Sequence, residues 1–337
     1  MRRFLLVRLD GLGDALVCVP ALEGLRRSFP DAEFGALCSP ANADLFCRQR
    51  VHVHVIRDGE PEEPVVADVR SRHYTDAVVA TEEPAGYRLA RASGARRRAG
   101  FWHRFEKTFK SIWQYAQLTE RVYRSAAWVA QPEHEVSAIY RLAEPLGAEK
   151  PIPDDPVRLR KWLDVDDSTS PVGKHAFAFQ IAAKLRANDW NAPSVAAAAL
   201  AALRGSHFSR CVFLASSADQ ELAREVLEHF ERASSQTGMG LLAPSTGLRQ
   251  WLGSLASSGA LVTPDTGAAH AAGMLGVPVV DLFDSDRFEQ HARQWRPWAA
   301  PSRCIVKPRF AEGAATQLGS AMAAALNELA QISGALR

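Results

Sequence analysis

Short apolar runs alternate along this chain with longer stretches in which apolar residues recur at helical spacing. In the first half, Phe4–Leu9, Ala32–Cys38, Val51–Ile56, Asp76–Thr81 and Arg97–Phe101 read as strands. Asp14–Ser28, Pro40–Cys47, Pro84–Ser93 and Glu133–Leu146 read as helices. This alternation predicts a parallel sheet covered by helices. A Pro- and Asp-rich stretch, "EKPIPDDPVRL", has the composition of a linker. The alternation then restarts. "HAFAFQIA", "FSRCVFLA", "MGLLAP", "GALVTP" and "VPVVDLF" read as strands. Pro193–Arg204, Asp219–Ala233, Leu248–Ala256, Ala268–Leu275 and Ala314–Ile332 read as helices.

The expected fold class is therefore α/β, with two Rossmann-like domains in tandem. Residues 1–150 form the first, 151–172 the linker and 173–337 the second. Ligands of such folds bind beyond the carboxyl ends of the strands. Two such domains facing each other would share one large cleft.

Composition narrows the class only a little. The 337 residues are 47% hydrophobic and 23% charged, as in ordinary globular proteins. A net charge of +2 implies no global field for nucleic acid. The longest purely apolar run, Val195 to Leu203, is mostly alanine and far too short to span a bilayer. The apolar run after Arg2 and Arg3 is interrupted by Arg8 and Asp10, so it reads as a first buried strand and not as a signal peptide. Cys18, Cys38, Cys47, Cys211 and Cys304 are odd in number and lack C-x-x-C spacing. They read as reduced core thiols of a cytosolic protein.

Two strand-to-helix turns carry chemistry. In "FLLVRLDGLGDALVCVPAL" the turn after the first strand has the form of a phosphate cradle, but Asp14 opens the helix. A carboxylate there repels phosphate. Leu16 also occupies the position where a dinucleotide fingerprint needs its third glycine. On its own, Asp14 reads first as a helix N-cap, a common position for Asp. The second turn lies in "GALVTPDTGAAHAAGMLGVPVVDLF". Asp265 or Thr266 can cap its helix, Gly267 admits close backbone approach, and the first-turn N–H groups face an anion. His270 lies one turn further on, within reach of a phosphate oxygen or a ribose hydroxyl, or packed in the core.

D-T-G-x-x-H followed by "G-x-P-V-V" and "LF" resembles the ADP-heptose:lipopolysaccharide heptosyltransferases, glycosyltransferase family nine, of GT-B fold. The N-terminal L-G-D and "P-A-L", then "FPDAEFGALCSP", "GARRRAGF", "HEVSAIYRLAEPLGAE" and "QWRPW", follow the family in order. The resemblance implies an acceptor-binding N-terminal domain and a nucleotide-sugar-binding C-terminal domain. It makes Asp14, beside Gly13, the general base toward an acceptor hydroxyl, with Asp10 in reserve. It makes Asp265, Thr266, Gly267 and His270 the donor site. It implies inverting transfer from ADP-heptose or a related sugar, with no metal and no other cofactor, by a cytoplasmic enzyme of lipopolysaccharide biosynthesis.

The chain departs from the family in "QIAAKLRANDWNAP", where Asn188 stands at the position of the K-x-W-P lysine. Lys184 is expected to take over the diphosphate contact, with Arg186 the alternative. Asp219 is a candidate for the ribose, or an ordinary helix-start acid. Asp284-Ser285-Asp286 reads as a chance D-x-D. On the acceptor side "RRRAGFWHRFEKTFKSIWQYAQLTERVYRSAAW" is basic and aromatic, with Phe101, Phe105, Phe109 and Ile112 or Trp113 at helical spacing. Arg97, Arg98, Arg104 and Lys107 are expected to meet an anionic glycolipid, or the inner face of the inner membrane. The bland reading is a core helix with a solvated basic face. No nucleic-acid module surrounds these residues. Two other functions share the architecture: a nucleotide-sugar epimerase, and a non-catalytic sugar-nucleotide-binding protein.

Overall fold

The computed structural model describes residues 1–104, 106, 108–125, 131–166, 172–234, 238–243 and 247–333. The chain divides into two compact units, Met1–Asp164 and Val165–Arg337.

The first unit opens with β1 (Arg3–Arg8), α1 (Leu12–Leu16), α2 (Val19–Ser28), β2 (Glu33–Cys38) and β3 (Val51–Val55). It continues with α3 (Glu63–Ser71), β4 (Asp76–Val79), α4 (Pro84–Ala92), β5 (Arg97–Trp102) and α5 (Thr108–Gln117). It ends with β6 (Glu120–Tyr123), α6 (Glu135–Ala143) and α7 (Pro156–Leu159). All strands are parallel, in the order β3-β2-β1-β4-β5-β6. The order reverses between β1 and β4, which makes the carboxyl ends of these two strands the switch point. Both faces of the sheet are covered. Phe4 stacks on Phe34, and Trp162 meets Phe34 edge-on. On the other face Leu5, Val7, Ala77 and Val79 pack with Tyr87 and Leu89.

The second unit repeats the plan with β7 (Ala176–Ile181), α8 (Ala192–Gly205), β8 (Arg210–Ala215), α9 (Gln220–Ser234), β9 (Gly240–Leu242) and α10 (Leu248–Ser257). Then come β10 (Ala260–Pro264), α11 (Gly267–Leu275), β11 (Val279–Asp284), α12 (Phe288–Trp295), β12 (Ser302–Lys307) and α13 (Ala314–Ser333). Its sheet order is β12-β11-β10-β7-β8-β9, again all parallel, with the switch point between β7 and β10. β7 is buried at every residue, which is why its sequence is apolar except for Gln180, whose side chain is hydrogen-bonded to the Ile181 carbonyl and the Trp251 indole. The alanines of α8 let α13 lie close. A Cβ on Gly319 would come within 2.5 Å of the Ala201 methyl. Among the described residues no helix is long and apolar enough to cross a membrane.

Four expectations change. The helix expected over Asp14–Ser28 is two helices, because Pro20, in the first turn of α2, has no N–H to donate and its ring crowds the preceding turn. Pro40–Cys47 forms turns. There the Asn42 side chain is fully buried and donates to the carbonyls of Arg8 and Asp10, which holds the backbone away from a helical path. The aromatic spacing from Phe101 is not one helix: Phe101 is buried in β5 and only Thr108–Gln117 is helical, while Phe105 and Lys107 lie outside the described residues. Within the stretch expected as linker, Pro156–Trp162 is helical and packs on α2, with the buried Trp162 indole donating to Glu23 at 3.0 Å.

Candidate functional site

Each switch point carries one cluster. In the first unit, β1 ends at Arg8, whose side chain is almost wholly buried. Its guanidinium donates to the Ala80 carbonyl just beyond β4 and to Asp14 Oδ1 at 2.6 Å, and its Nε lies 2.9 Å from Asp10 Oδ2. One cation thus holds two carboxylates at the carboxyl ends of the two central strands. Gly11, not Asp14, is the N-cap of α1, and no side chain caps that helix. Asp14 is therefore free of a capping role. Its carboxylate is two-thirds buried. Burial pushes the Asp14 carboxyl above its ordinary value, against the pull of Arg8, and Asp10 adds to the rise. The result is a carboxylate fixed in direction by Arg8, with a raised proton affinity suited to accepting a proton. Gly13 immediately precedes it in the same helix.

A second set of charges lines the same edge of this sheet. Arg124, just past β6, makes a bidentate pair with Glu135 at 2.9 and 3.0 Å. His103, just past β5, meets Glu82 at 2.9 Å. The sequence pointed to neither pair. Arg104 follows His103 and stacks over the Tyr123 ring at 4.5 Å. Arg97 and Arg98, by contrast, begin β5 and so lie at the opposite edge. Arg97 faces Asp76, Glu120 and the Pro145 carbonyl, and Arg98 donates to the carbonyls of Gln117 and Ala95. Both tie the amino ends of strands together and are separated from Asp14 by the length of the sheet.

In the second unit, β10 runs into Asp265, and Thr266 caps α11 by accepting from the Ala268 amide. Thr266 Oγ1 also meets Thr263 Oγ1 at 3.0 Å. The loop after β7 brings Lys184 to this turn. Its ammonium donates to Asp265 Oδ2 and to the Asp265 carbonyl, each at 2.7 Å. The carboxylate at the mouth of α11 is thereby neutralised, and the ammonium and the amino end of α11 sit together. Arg186 points elsewhere, to Glu225 on α9 at 3.1 Å. Asp219 braces the Lys184 loop by accepting from the Ala183 amide at 3.0 Å and from Ser216 Oγ at 2.7 Å. His270, the fourth residue of α11, is 3% exposed and packs against Trp295 of α12.

Asn188 and Asp189 both have left-handed backbone, with φ of 63° and 68°. The Asn188 amide donates to Asp284 Oδ1 at 3.0 Å. Lys307, 2% exposed at the end of β12, donates to the Ala187 carbonyl at 2.8 Å and lies 2.9 Å from Asp284 Oδ1. The first acid of the D-x-D is thus engaged by an ammonium and an amide. Beneath the Asp265 turn, on β11, Asp281 is fully buried, and neither of its oxygens has a hydrogen-bond partner among the described residues. Burial drives its carboxyl well above the ordinary value, and Asp265 adds to the effect.

The sequence profile of glycosyltransferase family 9 (heptosyltransferase) matches residues 72–320. The sequence matches no curated protein. The fold is similar to that of the ADP-heptose lps heptosyltransferase II of E. coli, at 19% identity and a TM-score of 0.69 over 99% of this chain and 100% of that one. It is similar also to E. coli heptosyltransferase WaaC solved with ADP-2-deoxy-2-fluoro heptose, at 16% identity and a TM-score of 0.67 over 98% and 99%. A family 9 glycosyl transferase from Veillonella parvula matches at 16% identity and a TM-score of 0.64, over 90% of this chain and 86% of that chain.

Proposed function

The chain belongs to glycosyltransferase family 9, the heptosyltransferases, and has the GT-B fold; from that premise we propose that it moves a heptose, or a related sugar, from an ADP-sugar to an anionic acceptor of the lipopolysaccharide-core type. Asp14 is the general base in this reading. The acceptor hydroxyl oxygen bonds to the anomeric carbon as its proton passes to the Asp14 carboxylate. The bond from the anomeric carbon to the ADP phosphate oxygen breaks, and its electron pair leaves with the diphosphate. A single displacement inverts the anomeric centre. The first-turn amides of α11 and the Lys184 ammonium stabilise the departing charge, and no metal is required.

The observation that carries the reading is the Arg8–Asp14 pair at 2.6 Å on the switch point of the first sheet. A buried cation holds a carboxylate with raised proton affinity at the switch point, where ligands of such folds bind. Support for the donor side comes from the Lys184–Asp265 pair at the amino end of α11, on the switch point of the second sheet. An E. coli relative of similar fold was solved with an ADP-heptose analogue.

For the acceptor, the reading replaces Arg97 and Arg98 by the carboxyl edge of the first sheet. Arg104 is there, and α5 begins there with Phe109 90% exposed and Ile112 and Tyr115 more than half exposed. An exposed apolar face beside Lys110 and Arg121 fits a glycolipid, or a membrane surface bearing anionic headgroups, from the cytoplasmic side.

The test has two parts. Thermal shift across ADP-, UDP- and GDP-sugars is expected to single out the ADP-sugar. Product analysis with ADP-heptose and a truncated lipopolysaccharide acceptor is expected to show one added heptose of inverted configuration. An epimerised nucleotide sugar, or ADP binding with no transfer, would overturn the reading.

A further inference from the structure

The strand β3 has the sequence "VHVHV" and lies at the edge of its sheet. Residues two apart on a strand share a face, so His52 and His54 point the same way. Asp68, on α3, stands over that face. Its Oδ2 is 2.6 Å from His54 Nδ1 and 3.8 Å from His52 Nε2. One ligand-type atom from each of these three residues falls within 4.8 Å of the other two. We propose that His52, His54 and Asp68 form a divalent transition-metal site of the zinc type, with two imidazole nitrogens, one carboxylate oxygen and one outward position for water.

Three further features fit such a site. The first is the support behind His54. Its Nε2 is 2.8 Å from the Tyr74 hydroxyl, so the nitrogen away from the cluster already has a partner. A ligating imidazole needs that arrangement, because the partner fixes the ring and leaves Nδ1 free to bind. The Tyr74 hydroxyl both donates and accepts. It donates to Nε2 when Nδ1–H faces Asp68, and accepts from Nε2–H when Nδ1 carries the metal. Binding therefore moves one proton around the His54 ring and requires no external base.

The second feature is the space that lets Tyr74 reach this position. Its hydroxyl sits 1.9 Å from where a Cβ on Gly35 would be, and Gly35 is the β2 residue in register with His52. Any side chain at 35 displaces the tyrosine. The third feature is accessibility of graded kind. His54 is buried and preset, whereas His52 and Asp68 are 40% and 51% exposed and able to turn. Tetrahedral ligands about 2.0–2.1 Å from zinc stand roughly 3.3 Å apart. The His54–Asp68 contact has to open by less than an ångström, and the His52–Asp68 contact to close by about half of one, which exposed side chains do by rotation. Nitrogen and oxygen donors of this kind take zinc, cobalt or nickel in preference to calcium or magnesium. The site lies within β3 and α3, away from the carboxyl-edge cluster of Arg8 and Asp14. Its role is to clamp the edge strand to its covering helix.

The experiment uses the full chain without a polyhistidine tag, stripped with EDTA and exchanged into metal-free buffer. Zinc is titrated calorimetrically and cobalt by visible absorption. One equivalent is expected to bind, with d–d bands of tetrahedral intensity and no thiolate charge-transfer band. His52→Ala and Asp68→Asn are each expected to weaken binding at least about 10-fold. Tyr74→Phe, which removes only the supporting contact, is expected to weaken it about 10–100-fold. His52 is exposed enough that its alanine variant keeps the fold, checked by its melting curve. No uptake, uptake unchanged in His52→Ala and Asp68→Asn, or a thiolate band would each overturn the proposal. Sugar transfer does not enter the readout, so this result stands apart from the function proposed above.

Discussion

Replacing Lys184 by methionine separates the two cations of the loop after β7. The Lys184 ammonium makes two contacts of 2.7 Å with Asp265, at the amino end of α11. With the ammonium gone, the diphosphate loses a charged donor and meets an unneutralised Asp265 carboxylate. A hydrogen bond to a charged group contributes about 1.5–3 kcal/mol net. At about 1.4 kcal/mol per factor of ten, the ADP dissociation constant rises roughly 10–100-fold. Arg186 serves as the control. Its guanidinium is exposed and paired with Glu225, so Arg186→Met changes ADP affinity by less than about threefold. Adding Asp265→Asn to Lys184→Met removes the repulsion and restores part of the loss, a non-additivity that a double-mutant cycle reads directly. The assay is calorimetric titration with ADP, repeated with adenosine, which lacks the phosphates and is expected to bind all variants alike. Parental ADP affinity in Lys184→Met, or a large loss in Arg186→Met, would refute this assignment of the diphosphate contact.

Three other expectations follow from the same geometry. Asp281 holds its proton in the folded state to well above the ordinary carboxyl value, so the folded chain binds one proton more than the unfolded chain between those two values, and stability falls as pH rises through that window. Asp281→Asn removes the titration, and denaturant melts from pH 5 upward are expected to show the variant gaining on the parent by up to about 1.4 kcal/mol per pH unit; parallel curves would contradict it. Transfer at 25 °C is expected to survive EDTA and Asp284→Ala, since Asp284 is engaged by Lys307 and Asn188; activity lost in chelator, restored by magnesium or manganese and abolished by Asp284→Ala, would revive the D-x-D as a metal site. The acid limb of kcat/KM is expected above the ordinary aspartate value, with activity falling as pH drops through the raised Asp14 value, and Arg8→Lys is expected to move that limb further up because a shorter, more localised cation holds the carboxylate less well; an unmoved limb would separate Arg8 from the titrating group.

The central strands of both sheets were legible because strands buried on both faces are continuous apolar runs. β6 and β12 were not. Both are edge strands, only partly buried, and "ERVY" and "SRCIVK" carry the charges that such edges tolerate. α12 was missed for a related reason: none of its residues is buried, and in eight residues its stripe of Phe288, Ala292 and Trp295 is too short to stand out among the charged and polar positions. At the site, Asp14 and the Asp265–Thr266–Gly267 turn stood out because a carboxylate or a small residue at a strand-to-helix turn is a local signal. Arg8 read only as an interruption of an apolar run. What it does depends on the Ala80 carbonyl, which only the fold brings to it, and on the turn that folds Asp10 and Asp14 back onto its guanidinium. Arg97 and Arg98 are a case of another kind. A basic run in sequence does not say which end of its strand it occupies, and β5 carries the chain from these arginines to the opposite edge before Arg104 is reached.

The account turns on Asp14, and the most direct measurement is the turnover of Asp14→Asn with ADP-heptose and a truncated lipopolysaccharide acceptor, alongside its ADP affinity and melting temperature. Asparagine keeps the size of the side chain and, because Gly11 is the cap of α1, costs no cap. Removing a positioned base typically lowers the rate about 10²–10⁴-fold. The account predicts a fall of that size in kcat, with ADP binding and thermal stability close to those of the parent. Turnover per folded molecule equal to the parent's would contradict it and move the search for the base to Asp10, the other carboxylate held by Arg8.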